Sequence, residues 1–445
     1  MKVMLIGSGG REHALAWKIS QSASMDKLYA VPGNPGIEEI ARLVPYDVTD
    51  IDKIAMFAAE ESIDLVVVGP EVPLALGLAD ALAVRKIPCF GPGAKGALLE
   101  SSKKYARDFM ARYDLPSPKW RAFSSLQDAG IYLTTLPDAP VVIKADGLAQ
   151  GKGVVVAQDR LDAFSALEEI MDSGKFGQAG EEVLVEECLF GEEVSLLVFS
   201  DGKKLLPMIP SQDHKRAGDG DTGENTGGMG AYAPVSAYTP EIAEVVERTI
   251  IKPIEKAFRG EGIDYRGCLY IGLMLTADGP KIIEFNARFG DPETQAILPL
   301  LKSDLLGVLY ACALGDLGDT KLEWSDGAAA CVVVASMGYP AKYKTGQLIT
   351  NDESKNAPLA GGCAHPTMVF HAGTAWNKNH ELVTNGGRVF GVASAGATIK
   401  EALDNIYARI DGIHFDGLAF RKDIGHRELS RLGQYNDKRA NRRLS

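Results

Sequence analysis

Within the first hundred residues, short unbroken apolar runs alternate with stretches of helical periodicity. Lys2–Ile6, in MKVMLIGSGG, and Asp64–Val68, in IDLVVVGPE, leave no polar face on the strands they form. Such strands need cover on both sides. Arg11–Ser20 and Leu74–Val84 carry the helix period, and IPCFGP adds another short strand. This alternation predicts an open parallel sheet with helices on both faces.

The remainder changes character twice. Ser101–Tyr113 reads as an amphipathic helix, with Tyr105, Phe109 and Tyr113 at every fourth position, and LPSP stops it. Strand pairs follow: VVIKA into GVVVA, then EVLVEECL into EVSLLVFSDG. The polar, glycine-rich SQDHKRAGDGDTGENTGGMGAY is too long for an ordinary connection and is expected to be functional or disordered. Residues 239–259 are helical in pattern, and CLYIGLMLT and KIIEFNA are strands joined by ADGP. From Ala328 onward, short strands separated by turns suggest a small mixed domain, ending in a polar, basic tail.

Length and charge narrow the function. At about 150 residues per domain, 445 residues suggest three domains. A net charge of −12 repels nucleic acid and anionic membranes, so a polyanionic ligand needs local basic residues. The N-terminal apolar run is too short for a signal peptide, and no apolar run approaches the roughly 18 residues of a membrane span. Cys89, Cys188, Cys268, Cys312, Cys331 and Cys363 form no C-x-x-C pair. Disulfides and zinc are therefore disfavoured, and a reducing cytoplasm fits.

GSGGREH follows a strand and opens a helix, as a dinucleotide fingerprint does. The third glycine is replaced by Glu12, and LYAVPGNPG lacks the acidic residue that would hold a ribose. NAD or FAD, and with them an NAD-dependent oxidoreductase, are disfavoured. Either the amides near Gly9 and Gly10 receive another anion, such as a sugar phosphate, or the segment is simply a tight turn.

Three later segments suggest a nucleotide site. KADGLAQGKGVVVA is not a Walker loop, because Gly153 stands where Ser or Thr is required. It reads as a hairpin with Lys144 on a strand. Gly147, Gly151, Lys152 and Gly153 form a tip that either folds over phosphates or lies bare on the surface. In VLVEECLFGEE, a strand runs into Glu186 and Glu187, with Leu189 and Glu193 following. This is either an adenine and ribose reader or a solvated acidic turn. In KIIEFNARFGDPETQ, alternation places Glu284 and Asn286 on one face and Ile283 and Phe285 on the other. Two oxygen donors on one strand suit Mg²⁺. Arg288 joins that face if the strand continues, where it could hold a carboxylate or phosphate. The competing reading is an edge strand with a wet face.

In order, these pieces resemble the ATP-grasp superfamily. GSGGREHALAW, VVVGPEVPLA, SQDHKRAGDGDTGENTGGMGAY, EFNARFGDPETQ and GRVFGVAS together resemble the phosphoribosylamine–glycine ligase family, from Met1 to about Leu429. The resemblance implies an α/β and α+β fold. Its parts are a Rossmann-like domain over 1–101, an ATP-grasp domain over 102–326 with a mobile lid subdomain at about 121–190, a C-terminal domain over 327–429 and a tail over 430–445. It places Lys103 and Lys144 on ATP phosphates, the hinge at Glu186 to Leu189 and Glu193 on the ribose. Glu284 and Asn286 would hold Mg²⁺ or Mn²⁺, with no further carboxylate in GLMLT. Arg288 would clamp the glycine carboxylate and Asp213 its ammonium group, with His214 and Lys215 close to substrate. Gly69, Pro70 and Glu71, together with Gly9 and Gly10, would face the phosphoribosyl group.

The implied reaction joins glycine to 5-phosphoribosylamine through glycyl phosphate in purine biosynthesis, releasing ADP and phosphate. It implies a cytoplasmic monomer in transient contact with the enzyme that makes phosphoribosylamine, and a stand-alone ligase rather than a fused form. The nearest alternative is another ATP-grasp acid–amine ligase or a carboxylase.

Overall fold

The computed structural model describes residues 1–148, 153–172, 176–352 and 367–433, the side chain of Gln178 apart. Gln150, Gly151, Lys152, Cys363 and the tail from residue 434 lie outside the described residues. Among the described residues no helix is long and apolar enough to cross a membrane.

The N-terminal sheet is parallel. From one edge it runs Arg42–Leu43, Lys27–Pro32, Lys2–Gly7, Leu65–Val68 and Cys89–Phe90. Val3 to Ile6 and Leu65 to Val68 are buried, as strands covered on both faces must be. Each such side chain stabilises the fold by roughly 1.5–3 kcal/mol. The helix expected over Leu74–Val84 is two helices, Glu71–Ala75 and Leu78–Val84. Gly77 between them has a φ of 84°, a left-handed conformation that ends the first helix. The helix expected over Ser101–Tyr113 spans Lys103–Arg112, and a separate helix, Ala94–Ser101, precedes it. Ser102 divides the two by capping the second, its hydroxyl accepting the Tyr105 N–H at 3.0 Å.

The next sheet is antiparallel, in the order Trp120–Phe123, Val183–Glu187, Val141–Ala145 and Val154–Ala157. Helices Leu126–Thr135 and Arg160–Met171 pack with it around a separate core that includes Phe123, Ile143 and Leu167. A second antiparallel sheet runs Leu205–Pro207, Glu192–Asp201, Arg266–Thr276 and Gly279–Asn286. The long helical segment packs beside it, with Val246, Ile250 and Phe258 in the same core as Ile271 and Phe285.

The last strand of this second sheet departs from simple alternation. Its register against Arg266–Thr276 shifts between Gly272 and Leu273, which leaves Ile283 as an extra residue. Ile282 and Phe285 enter the core, while Ile283 turns to the cleft with Glu284 and Asn286. The expected pairing of Ile283 with Phe285 on one face therefore fails, although Glu284 and Asn286 still share theirs.

The polar stretch from Ser211 is ordered into strands. Gln212–Asp213 and Gly230–Ala233 pair with each other, and Gly230–Ala233 pairs with Ala328–Ser336. Ala328–Ser336 pairs in turn with Arg388–Gly396, beyond which lies Met368–His371. One sheet therefore crosses the boundary expected at 326/327. Between its first two strands stands a small hairpin, Arg216–Gly218 with Thr222–Asn225.

The first and last parts of the chain meet at a seam of imidazoles. The His371 N–H donates to His13 Nδ1 at 2.8 Å, and their ring centroids lie 5.6 Å apart. Asn34 Nδ2 donates to Ser8 O at 2.8 Å and to His371 O at 2.9 Å.

Candidate functional site

The sheets surround a cleft of about 1080 Å³. It gathers Gly9, Pro70, Glu71, Lys103, Lys144, Gly147, Gly153, Glu186, Glu187, Leu189, Glu193, Asp213, His214, Lys215, Glu284, Asn286 and Arg288. Residues expected from segments 200 positions apart thus share one wall.

At one end, Lys144 projects from the middle of a sheet. Its ammonium lies 2.9 Å from Glu186 Oε2 and 3.1 Å from Ile283 O, a carbonyl at the bulge. Arg107 completes the arrangement. Its Nε and Nη2 hold both oxygens of Glu186 at 2.6 and 2.7 Å, and it caps the carbonyls of Ile282 and Ile283 at 3.1 and 2.7 Å. Burial opposes ionisation of Glu186, but Lys144 and Arg107 outweigh it and hold its carboxyl below the ordinary value. The Glu186 carboxylate is thus fully engaged, so its place in a hinge rests on its backbone. Lys103, at the start of its helix, donates to Gly147 O at 2.9 Å. Gly147 has a φ of 143°, and a Cβ there would stand 2.7 Å from Ala179 Cβ, so only glycine fits. The Gly153 carbonyl accepts the Ala145 N–H at 2.8 Å.

At the centre, the Lys215 ammonium sits between two carboxylates, 3.2 Å from Glu193 and 3.3 Å from Glu284. Burial would lower the lysine pKa, but Glu193 and Glu284 hold it well above the usual range. Lys215 in turn depresses Glu284 to about 2 against the effect of burial, with Lys144 and Lys103 adding to it. Glu284 is therefore an acceptor-only carboxylate, with the amide of Asn286 beside it. Two hard oxygen donors facing a cleft lined by lysines suit a divalent cation that also binds phosphate oxygens. These residues fit Mg²⁺ or Mn²⁺.

At the other end lies Arg288. The strand ends at Asn286, so the condition for Arg288 to be carried on it is not met, although its Nη2 still reaches Asn286 Oδ1 at 3.4 Å. Instead the Ala287 N–H donates to Glu100 Oε2 at 2.7 Å, and the guanidinium turns to Glu100 at 3.0 Å and Glu71 at 3.6 Å. Burial opposes the charge, and Glu100 and Glu71 sustain it. Arg288 Nε is buried and makes no hydrogen bond among the described residues, and the same holds for Asp213 Oδ1. Burial and the nearby Glu293 raise the Asp213 carboxyl well above its ordinary value. His214 is buried, accepts the Gly425 N–H at 3.1 Å and is depressed to about 3 by burial, so it is neutral.

The N-terminal glycines behave differently. The carboxylate of Glu12 folds back and accepts the Gly9 N–H at 2.6 Å. A Cβ on Gly69 would stand 2.0 Å from Glu12 Oε1, and one on Gly7 2.5 Å from Glu12 Cγ. The residue at the third-glycine position thus fills the cradle a dinucleotide would need, and the amide of Gly9 is not free for an anion. Gly69 crowds Glu12, and Gly10 packs toward Gln295, where a Cβ would lie 2.8 Å from Nε2. Neither Gly69 nor Gly10 lines the cleft, whereas Pro70 and Glu71 do.

Sequence reasoning missed Glu12, Glu100, Arg107 and Glu293. Arg107 was the most findable, because it stands one helical turn from Lys103 and three residues from the buried Met110, whose sulfur its Nη1 meets at 3.1 Å. Glu293 announces itself only in three dimensions, where the Ser195 hydroxyl donates to it at 3.1 Å.

Comparison with known proteins agrees along the whole chain. Residues 1–100, 101–294 and 329–427 match the family models described as phosphoribosylglycinamide synthetase N domain, ATP-grasp (A) domain and C domain. A phosphoribosylamine–glycine ligase of Agrobacterium fabrum is 48% identical over 433 residues, covering 97% of this chain and 99% of that protein. The crystal structure of a phosphoribosylamine–glycine ligase from Thermotoga maritima superposes with a TM-score of 0.81 at 31% identity, covering 95% of this chain and 100% of that one. The biotin carboxylase domain of a Hydrogenobacter thermophilus 2-oxoglutarate carboxylase shares the fold, with a TM-score of 0.72 at 15% identity over 98% of this chain and 99% of that one.

Proposed function

Because the chain belongs to the phosphoribosylglycinamide synthetase family, we propose that its cleft ligates glycine to 5-phosphoribosylamine at the expense of ATP, giving glycinamide ribonucleotide, ADP and phosphate. The observation that carries the acid assignment is a complementary pair of buried polar atoms in one cleft. Asp213 Oδ1 is an acceptor without a hydrogen-bond partner among the described residues, and Arg288 Nε is a donor whose carboxylate neighbour, Glu71 Oε2, stands at 3.6 Å, beyond hydrogen-bond distance. Glycine would set its carboxylate on Arg288 and its ammonium group on Asp213, where Glu293 adds negative charge.

A carboxylate is a poor acyl donor until one of its oxygens becomes a leaving group. Transfer of the terminal phosphoryl of ATP to glycine supplies that group, and the amine then displaces phosphate from glycyl phosphate. Lys103 and Lys144 neutralise the phosphates, and Glu193 takes the ribose hydroxyls. Glu284 and Asn286 would hold Mg²⁺ or Mn²⁺, which supplies further charge neutralisation on the phosphates. The sheet of Trp120–Phe123, Val183–Glu187, Val141–Ala145 and Val154–Ala157, acting as the lid subdomain, keeps water from the acyl phosphate. Pro70 and Glu71 lie where the phosphoribosyl group approaches. No side-chain nucleophile is required, and His214, neutral, accepts the Gly425 N–H on Nε2 and lies close to substrate with a buried Nδ1 that has no hydrogen-bond partner among the described residues. The enzyme works as a cytoplasmic monomer, in passing contact with the enzyme that makes phosphoribosylamine.

The test is ADP release with ATP and Mg²⁺, omitting glycine and freshly generated phosphoribosylamine in turn. ADP is expected only when both are present. Robust turnover with bicarbonate and without glycine would move the chain to the carboxylases whose fold it shares.

A further inference from the structure

Lys215 stands at the foot of the hairpin Arg216–Gly218 and Thr222–Asn225, and the far end of the chain grips that hairpin. On the returning side, the N–H and hydroxyl of Thr226 both donate to Lys215 O at 2.8 Å. On the outgoing side, Arg421 Nη1 donates to Arg216 O at 3.0 Å. Arg421 is only 1% exposed. It reaches Asp221 at 3.0 Å through the same Nη1, and its Nε and Nη2 hold both oxygens of Asp423 at 2.8 and 2.9 Å. Asp423 also accepts the Gly220 N–H at 2.7 Å, and Asp219 accepts the Lys422 N–H at 2.9 Å. Arg427 adds a second guanidinium to Asp221.

A buried guanidinium with both carboxylates supplied is held in one geometry, and removing either carboxylate leaves charge uncompensated. The backbone on both sides of Lys215 inherits that geometry. The side chain of Lys215 bridges two carboxylates that come from different strands, Glu193 and Glu284, so small displacements of its backbone change both contacts together.

We infer that Asp221 and Arg421 are positioning residues that set the Lys215 ammonium between Glu193 and Glu284, so that the C-terminal segment 421–427 shapes the nucleotide site. This rests on the reading of the cleft as an ATP site. It does not depend on which acid or amine is joined, and ATP binding is therefore the readout.

The experiment is a double-mutant cycle on the full chain, with calorimetric titration of ATP and Mg²⁺. Asp221→Asn is expected to weaken binding about tenfold when Lys215 is present and less than about twofold in the Lys215→Met background. An equal loss in both backgrounds would mean that Asp221 acts on general stability, and the inference would be overturned. Undiminished binding by Asp221→Asn alone, or by Lys215→Met alone, would overturn it as well. If Asp221→Asn does not fold, Arg427→Gln removes the more exposed partner of the same carboxylate and enters the same cycle. Glycine-dependent ADP release by the unmodified enzyme is measured alongside. Its absence would overturn the ligase reading and leave the coupling result standing.

Discussion

The glycine turn at residues 7–10 and the cleft around Lys215 both set charge beside the backbone, and they treat it in opposite ways. In the turn, the chain satisfies its own groups. Glu12 is 2% exposed, takes the Gly9 N–H and pairs with Arg11. In the cleft, Lys215 leaves a third of its side chain exposed, and Arg288 Nε and Asp213 Oδ1 keep hydrogen-bonding capacity in reserve. Glycine content does not distinguish the two regions. What distinguishes them is whether the polar groups are already used by the protein itself.

The comparison can be broken by substitution. In the open region, loss of a charge should cost catalysis and spare the fold. Glu284→Ala is expected to lower kcat/KM on the order of 10³-fold and to raise the Mg²⁺ requirement, with little change in thermal midpoint. Asn286→Asp keeps an oxygen donor and should retain part of the activity. Steady-state kinetics across a Mg²⁺ titration check both, and normal turnover of Glu284→Ala at limiting Mg²⁺ would remove it from the metal site.

In the closed region the cost should fall on stability. Glu12→Ala strips the partner from a buried guanidinium and is expected to destabilise the N-terminal part by about 3 kcal/mol. The emptied cradle should still not take NADH, because the acidic ribose partner is also missing. Chemical denaturation and NADH fluorescence measure the two halves of this expectation. A stable Glu12→Ala variant that binds NADH would show that one side chain alone separates this turn from a dinucleotide site.

A graded effect, small at pH 6 and growing as the pH falls, is expected at the adjoining imidazole seam. Burial holds His13 down to about 3, with a contribution from His371, and burial holds His371 down to about 4. An unfolded chain takes up protons near pH 6.5, where the folded seam does not. The stability from this seam is complete above about pH 6.5 and declines as the pH falls toward 4, by about 1 kcal/mol per pH unit for each ring. Thermal midpoints at pH 7.5, 6 and 5 should fall accordingly, and His371→Asn should flatten the trend. An equal slope in that variant would place the pH sensitivity elsewhere.

What the sequence made legible follows from distance along the chain. Glu284 and Asn286 were readable as neighbours because alternation within one strand is a local property. Ile283 was misassigned for a reason of the opposite kind. A bulge is a relation between two strands, and nothing in KIIEF reports the register of Arg266–Thr276 against it. The break at Gly77 was visible in the sequence, since glycine inside a helical pattern is a standing invitation to stop. The union of Arg107 with Glu186 joins residues 79 apart, and composition says nothing of it. The same limit hid the role of the polar stretch after Ser211. Its length suggested a functional loop, and it does bring Asp213, His214 and Lys215 to the cleft, but its later end is also a strand whose partner begins at Ala328. Glu12 is an intermediate case. The missing third glycine was read as an obstacle to NAD, and what stands at that place is a side chain packed against Gly7, Gly9 and Gly69.

The sheet that joins Gly230–Ala233 to Ala328–Ser336, and that strand to Arg388–Gly396, has a consequence for how the molecule comes into being. During synthesis, the residues flanking Lys215 leave the ribosome well before the strands that complete their sheet. Arg421, which holds their hairpin, follows later still. For that interval the chain carries residues 186–189 and the strand Gly279–Asn286 but no settled Lys215. Pairings of such long sequence separation form late, because closing the intervening loop costs entropy before any contact repays it. An arrested or prematurely terminated chain therefore lacks the strands and the Arg421 contacts that fix the backbone around Lys215, and this wall of the cleft is complete only once residue 421 has been made.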